Sequence, residues 1–235
     1  MRYILPAITA IGFTAVLATG CKKVDSNDLK DTVPYYQEYT VTYDKAANQT
    51  KATALIRVRE ANGARVDLTN GAYIRANGVD ENNKQLTSNT YNWKFSGSND
   101  VAFELKKNSG DVFQNTISLT DVGTIDFPSN LPVTVSKAAG FTFNWAGTAL
   151  GSGEKLSASV RGTNATNVAL PLTVPVKVEG GQIVVTPEHL SVLAAGELDI
   201  ILEREKDMQL DKADGTAAGT MQATVITEKK IILSE

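Results

Sequence analysis

The sequence predicts an all-β body of antiparallel sandwiches, on three observations. Apolar residues recur at every second position through most of the chain beyond residue 37, the period that sends alternate side chains to opposite faces of a strand. Turn-forming residues, chiefly Gly and Asn, punctuate these runs, which spaces the strands as an antiparallel sandwich does. One stretch, 186–196, carries good helix signals.

In chain order, Tyr39, Val41 and Tyr43 alternate with threonines. Ala52, Ala54, Ile56 and Val58 share one strand face, with Arg57 and Arg59 on the other. Asn62-Gly63 marks a turn, and the next strand starts at Arg65. Val101, Phe103 and Leu105 alternate with Glu104 and Lys106, and Ile117 and Leu119 with Thr116 and Ser118. This first unit spans 37–131, closing near Phe127-Pro128 with a boundary at Leu131-Pro132.

The second unit spans 132–235. Phe141, Phe143 and Trp145 face one way, opposite Thr142 and Asn144. Leu156, Ala158 and Val160 alternate with polar residues, as do Leu198, Ile200 and Leu202. Pro171 and Pro175 lie four residues apart, so their missing N–H groups fall on the same lateral side of one strand. That predicts an edge strand over 170–178, paired on its other side only. Each unit holds one tryptophan, in Tyr91-Asn92-Trp93 and Phe143-Asn144-Trp145, and core packing is the expected role of both. In the helical stretch Thr186 can cap, Pro187 suits the first position, Gly196 suits the exit, and Leu190 and Leu193 turn inward.

A short helical turn followed by Glu197-Leu198-Asp199-Ile200 resembles the E–F corner of immunoglobulin-like and fibronectin type III domains. That family often places a tyrosine near the start of the following strand, where this chain has Leu198. The resemblance covers about the last hundred residues, and the expected body is two antiparallel immunoglobulin-like β-sandwich units in tandem.

Ahead of this body, residues 1–20 have the layout of a secretory signal. Arg2 supplies a positive start, 4–17 form an apolar run too short for a comfortable membrane span, and small residues follow. Leu17-Ala18-Thr19-Gly20-Cys21 resembles a bacterial lipobox, as in Gram-negative outer-membrane lipoproteins. The resemblance implies cleavage between Gly20 and Cys21 and a diacylglycerol on the Cys21 thiol as a thioether. The freed amine then takes a third acyl chain. One chain binds marginally, whereas several hold a protein in place. Cys21 is the only cysteine, so an intrachain disulfide is impossible. Lys22 stands where an aspartate would retain such a protein in the inner membrane, which by resemblance favours the outer membrane. Lys22, Lys23 and Asp25 resemble a cell-surface export signal. The expected address is the outer membrane, with surface exposure and a periplasm-facing orientation as alternatives.

Residues 21–36 read as the lipidated cysteine and a polar tether carrying Asp25, Asp28 and Asp31. Fifteen such residues reach about 50 Å when extended. Asp31-Thr32-Val33 resembles an O-glycosylation motif of some Gram-negative bacteria, which makes Thr32 a candidate acceptor.

Catalytic signals are sparse. The formal charge is −3, or −4 once Arg2 is removed, and no basic patch interleaves with aromatics. Nucleic acid is therefore not an expected partner. Zinc sites need Cys or His clusters, and the one histidine, His189, is expected to cap or lie at the surface. No G-x-S-x-G elbow occurs. Asp207, Asp211 and Asp214 lack the EF-hand spacing, and Asp214-Gly215 predicts a hairpin turn. No catalytic residue, metal or cofactor is expected.

The polar stretch 77–89 predicts a loop of the kind that carries binding residues on a sandwich. Beside it, Tyr73, Tyr91 and Trp93 are candidate glycan contacts. Three readings follow. The first is a lipid-anchored cell-envelope protein acting as a non-catalytic structural or interaction module, its protein or glycan partner unidentified. The second is an accessory glycan-binding surface lipoprotein, and the third a lipid-anchored hydrolase. Exposed aromatic rings beside the loop would favour the second, and a deep cleft with two facing carboxylates the third.

Overall fold

A computed structural model describes residues 22–81, 83–85, 90–167 and 169–235. The expected signal segment 1–20, the expected Gly20–Cys21 cleavage site and Cys21, the expected lipid acceptor, lie outside the described residues. Strands make up 58% of the described residues and helices 5%, so the body is all-β.

Strand β1 (Lys23–Asp25) precedes a 3-10 turn at Ser26–Asp28 and the hairpin of β2 (Tyr35–Asp44) and β3 (Gln49–Val58). Short strands β4 (Arg65–Asp67), β5 (Tyr73–Ala76), β6 (Val79–Asp80) and β7 (Asn83–Gln85) lead to β8 (Thr90–Ser96). A second hairpin joins β9 (Val101–Lys106) to β10 (Val112–Ile117). After it come β11 (Ile125–Asp126), β12 (Thr134–Ser136), β13 (Phe141–Asn144) and β14 (Ala146–Gly147). The chain continues through β15 (Glu154–Asn164), β16 (Pro171–Glu179), β17 (Gln182–Val185) and helix α1 (Pro187–Ser191). It ends in the long hairpin of β18 (Leu193–Met208) and β19 (Gly219–Ser234).

The large sheet runs β1-β4-β3-β2-β19-β18-β15-β16-β17-β13, with β8 and β12 paired alongside β3 and β19. A second sheet has the order β10-β9-β5-β6, and β11 and β14 form a ribbon. Strand β19 pairs antiparallel with β18 and parallel with β2, from Gly219↔Gln37 to Ile226↔Asp44. The strands on either side of residue 131 therefore share one ladder. Their buried side chains, Ile56 and Phe103 with Val160 and Leu198 among them, belong to one hydrophobic cluster.

The alternation read from the sequence sets the faces. Tyr39 and Val41, Ala52, Ala54 and Ile56, and Leu198, Ile200 and Leu202 are buried. Val101, Phe103 and Leu105 of the second sheet pack against that inner face. Tyr39 stacks on Phe103 with ring centroids 4.5 Å apart, and Trp93 meets the same ring edge-on at 5.8 Å. Such pairs add about 0.5–1.5 kcal/mol each beyond their burial.

Four local expectations come out differently. Residues 22–36 do not form a free tether. Strand β1 pairs in parallel with β4, Ser26 is buried and its hydroxyl accepts from the Thr69 N–H at 2.9 Å, and Tyr35 opens β2. The polar composition hid this because a three-residue edge strand needs only one inward apolar side chain, here Val24 beside Val66. The Pro171–Pro175 segment pairs on one side with β15, as expected, but β17 joins the other side from Lys177 onward, once Pro175 is past. Helix α1 starts as read, yet it ends at Ser191, and Leu193 already opens β18. Arg59 lies beyond β3 in the turn, at φ 64°.

Two buried ion pairs tie distant segments together. Arg204 Nη2 and Nε donate to Glu154 (2.5 and 3.2 Å), Nη1 donates to the carbonyls of Thr124 (2.8 Å) and Thr148 (2.6 Å), and Nη2 to that of Ala149 (2.9 Å). Its guanidinium also sits 5.5 Å from the centre of the Trp145 ring. A Cβ on Gly123 would overlap this guanidinium, which accounts for glycine there. Lys107 Nζ donates to Asp214 (2.8 Å) and to the carbonyls of Val33 (2.8 Å) and Asp31 (3.3 Å), and lies 4.6 Å from the Tyr35 ring centre. Asp214 also accepts from the Tyr35 N–H at 2.8 Å. Asp214 opens the turn expected there, its carbonyl accepting the Ala217 N–H at 3.1 Å, within the connection of the β18–β19 hairpin.

Candidate functional site

The outer face of the second sheet gathers the polar groups best placed to meet a ligand. Period-two alternation turns Ile74 and Ala76 of β5 inward and leaves Tyr73 and Arg75 outward. In β9 the outward residues are Ala102, Glu104 and Lys106, and in β10 they include Gln114 and Thr116. Register then aligns Arg75, Glu104 and Gln114 in one row across three strands, with Tyr73 opposite Lys106 in the next.

Hydrogen bonds fix this row. The Tyr73 hydroxyl donates to Glu104 Oε1 at 2.7 Å, and Gln114 Nε2 donates to Glu104 Oε2 at 3.1 Å. Arg75 Nε donates to Asp80 at 2.7 Å while its guanidinium lies 4.4 Å from the centre of the Tyr73 ring. Both bonds to Glu104 favour its charged form, which holds the carboxyl below the usual range. The same bond raises the Tyr73 phenol. Beside the row lies a shallow groove of about 290 Å³, lined by Asn77, Gly78, Ala102, Glu104, Gln114 and Thr116 among others. The carboxylate and amides that line this groove can bond a hydroxyl-rich ligand, and the Tyr73 ring, farther along the same face, can pack against its apolar side.

Of the three aromatic residues expected at a glycan contact, Tyr73 alone stands on this face. Trp93 is 1% exposed, and its Nε1 donates to the Val79 carbonyl at 3.0 Å. Tyr91 is 2% exposed, its hydroxyl accepts the Leu68 N–H at 2.9 Å, and burial pushes its phenol up to about 12. Thr32 is exposed in a turn closed by the Val33 N–H bonding the Lys30 carbonyl. His189 caps, as expected: its Nδ1 accepts the Thr186 N–H at 3.1 Å.

The three aspartates considered for calcium serve separate partners. Asp207 pairs with Lys155 at 2.7 Å, Asp211 accepts the Thr116 N–H at 2.8 Å, and Asp214 holds Lys107. Glu104, Arg75 and Gln114 were missed from the sequence as site residues. Their outward parity was legible, but the register that aligns them was not. Comparison with known protein families, curated proteins and solved structures found no match to this chain.

Proposed function

We propose that the chain is a lipid-anchored cell-envelope protein, held at the outer membrane through Cys21, whose β-sandwich body is a non-catalytic structural or interaction module. The observation that supports this reading is how soon the fold begins after the lipobox. Lys22 already accepts the Arg65 N–H at 2.9 Å through its carbonyl, and Lys23 opens β1. A lipid on Cys21 would therefore hold the body itself at the bilayer, with no long tether between them. Replacing Cys21 with Ser is expected to move the protein from the membrane pellet to the soluble fraction after removal of peripheral proteins, or to leave an uncleaved precursor. Wild-type-like fractionation with mature-sized protein would rule the anchor out.

A second reading, an accessory glycan-binding protein, is favoured by the Arg75–Glu104–Gln114 row with Tyr73 bonded to it. Saturable binding of the protein on a glycan array, lost by at least about tenfold in Tyr73→Ala, is the expected result. Binding that survives this substitution would move the contact elsewhere.

A further inference from the structure

We propose that the anchor-side edge of the large sheet is a docking surface for the phosphate headgroups of an anionic bilayer, with Arg57 and Arg65 as its central pair and Lys22, Lys23 and Arg59 around them. The proposal rests on the Cys21 anchor. Register brings these residues together. Lys23 of β1 pairs with Arg65 of β4, and Arg65 pairs with Arg57 of β3, so the three share one face of three adjacent strands. Tyr36 of β2 continues the same row opposite Arg57. This face is the outer one, since the intervening Val66 and Ile56 are buried in the core.

The electrostatics of the row is unresolved within the protein. Like charges directly across a strand pair repel. Lys23 is answered by Asp67 at 2.7 Å. No ion pair joins either arginine to another described residue, and the Nε–H of each is buried without a hydrogen-bond partner there. Asp25, Asp67, Glu60 and, one step along β2 from Tyr36, Glu38 are the acids near the row, against five cations. A guanidinium fork matches two oxygens of a phosphate. A phosphate between the two guanidiniums would answer the repulsion between them.

The occupant follows from where the chain leaves the structure. Lys22 bonds Arg65 directly, and the next residue is Cys21, so any lipid there brings headgroups to this edge first. Strand β1 is also the free edge of the large sheet. Covering it with a membrane surface would shield an edge that is otherwise open to pairing with other chains.

Arginine footprinting tests the assignment. The lipidated full chain is incorporated into vesicles of phosphatidylcholine, with or without phosphatidylglycerol, and phenylglyoxal modification of each arginine is followed by peptide mass spectrometry. Phosphatidylglycerol is expected to slow modification of Arg57 and Arg65 by about fivefold and to leave Arg161, which is paired with Asp199 and Glu228 on a distant strand, unchanged. In Arg65→Gln the protection of Arg57 should fall away while the melting temperature holds.

Equal rates on both vesicles, equal protection of Arg161, or arginines closed to the reagent on phosphatidylcholine would each overturn the proposal. So would protection by inorganic phosphate on phosphatidylcholine matching that by phosphatidylglycerol, which would make this a free-anion site. Flotation with the vesicles reports the anchor separately, and the footprint is read whether or not the chain floats.

Discussion

Arg204→Ala is expected to destabilise the body by about 3–5 kcal/mol, the usual cost of removing one partner from a buried pair. The Arg204 side chain is 1% exposed and that of Glu154 5%, so the substitution leaves a carboxylate in the interior without its counter-charge. It also strips donors from the carbonyls of Thr124, Thr148 and Ala149. Replacing Arg204 and Glu154 together with Leu should recover only part of the loss, because those carbonyls stay unanswered. Urea titration of the three proteins measures this. A single-variant loss below about 1 kcal/mol would mean that water reaches the pair.

The same pair predicts an acid transition. The Arg204 hydrogen bonds, with help from the Gly123 and Gly151 N–H groups, hold the Glu154 carboxyl at about 2. The folded value lies below the unfolded one, near 4.3. The stabilisation is therefore full above the unfolded value and is lost as pH falls through about 2. The shift corresponds to about 3 kcal/mol. Glu154→Gln should flatten the decline of stability between those limits in acid titrations followed by circular dichroism.

Asp214→Ala is the second substitution with a large expected effect. It leaves the Lys107 ammonium, whose side chain is 4% exposed, without its carboxylate and the Tyr35 N–H without an acceptor. The expected loss is again about 3–5 kcal/mol, but its character differs. Lys107 and Asp214 pin 31–35 against the β9–β10 turn and the β18–β19 connection. The N-terminal segment should therefore release first, seen as faster tryptic cleavage after the exposed Lys30 at denaturant concentrations where the rest of the body stays folded. Lys107→Met combined with Asp214→Leu should restore only part of the stability, because the Tyr35 N–H and the Val33 carbonyl stay unanswered. Cleavage after Lys30 that tracks global unfolding would show that the segment is not separately pinned.

Legibility in the sequence followed the reach of each interaction. Alternation over a few residues identified the inward faces of β3, β9 and β15, and local capping chemistry placed Thr186, Pro187 and His189. Arg204 could have been found the same way. It continues the parity of Leu198, Ile200 and Leu202, so an arginine at that position had to be buried or had to break the strand. The partners of Lys107 and Asp214, the Arg57–Arg65 pair and the Arg75–Glu104–Gln114 row depend on register between strands, which composition does not encode. The polar run after the cysteine was misread for a related reason. Strand β1 is held by backbone bonds to β4, the Lys23–Asp67 ion pair and one apolar contact, too little to leave a periodic signal.

The parallel pairing of β2 with β19 has a consequence for the order of events in folding. The first long strand pairs at once with β3 but finds its second native neighbour only in β19, so that loop closure spans nearly the whole body and completion of the sheet is slow and late. On the proposed route to the cell envelope, a chain threaded N-terminus first through a secretion channel could not complete its sheet until β19 had emerged. Until then β2 and β18 each present an open edge, and those two edges are what a holding chaperone would have to cover.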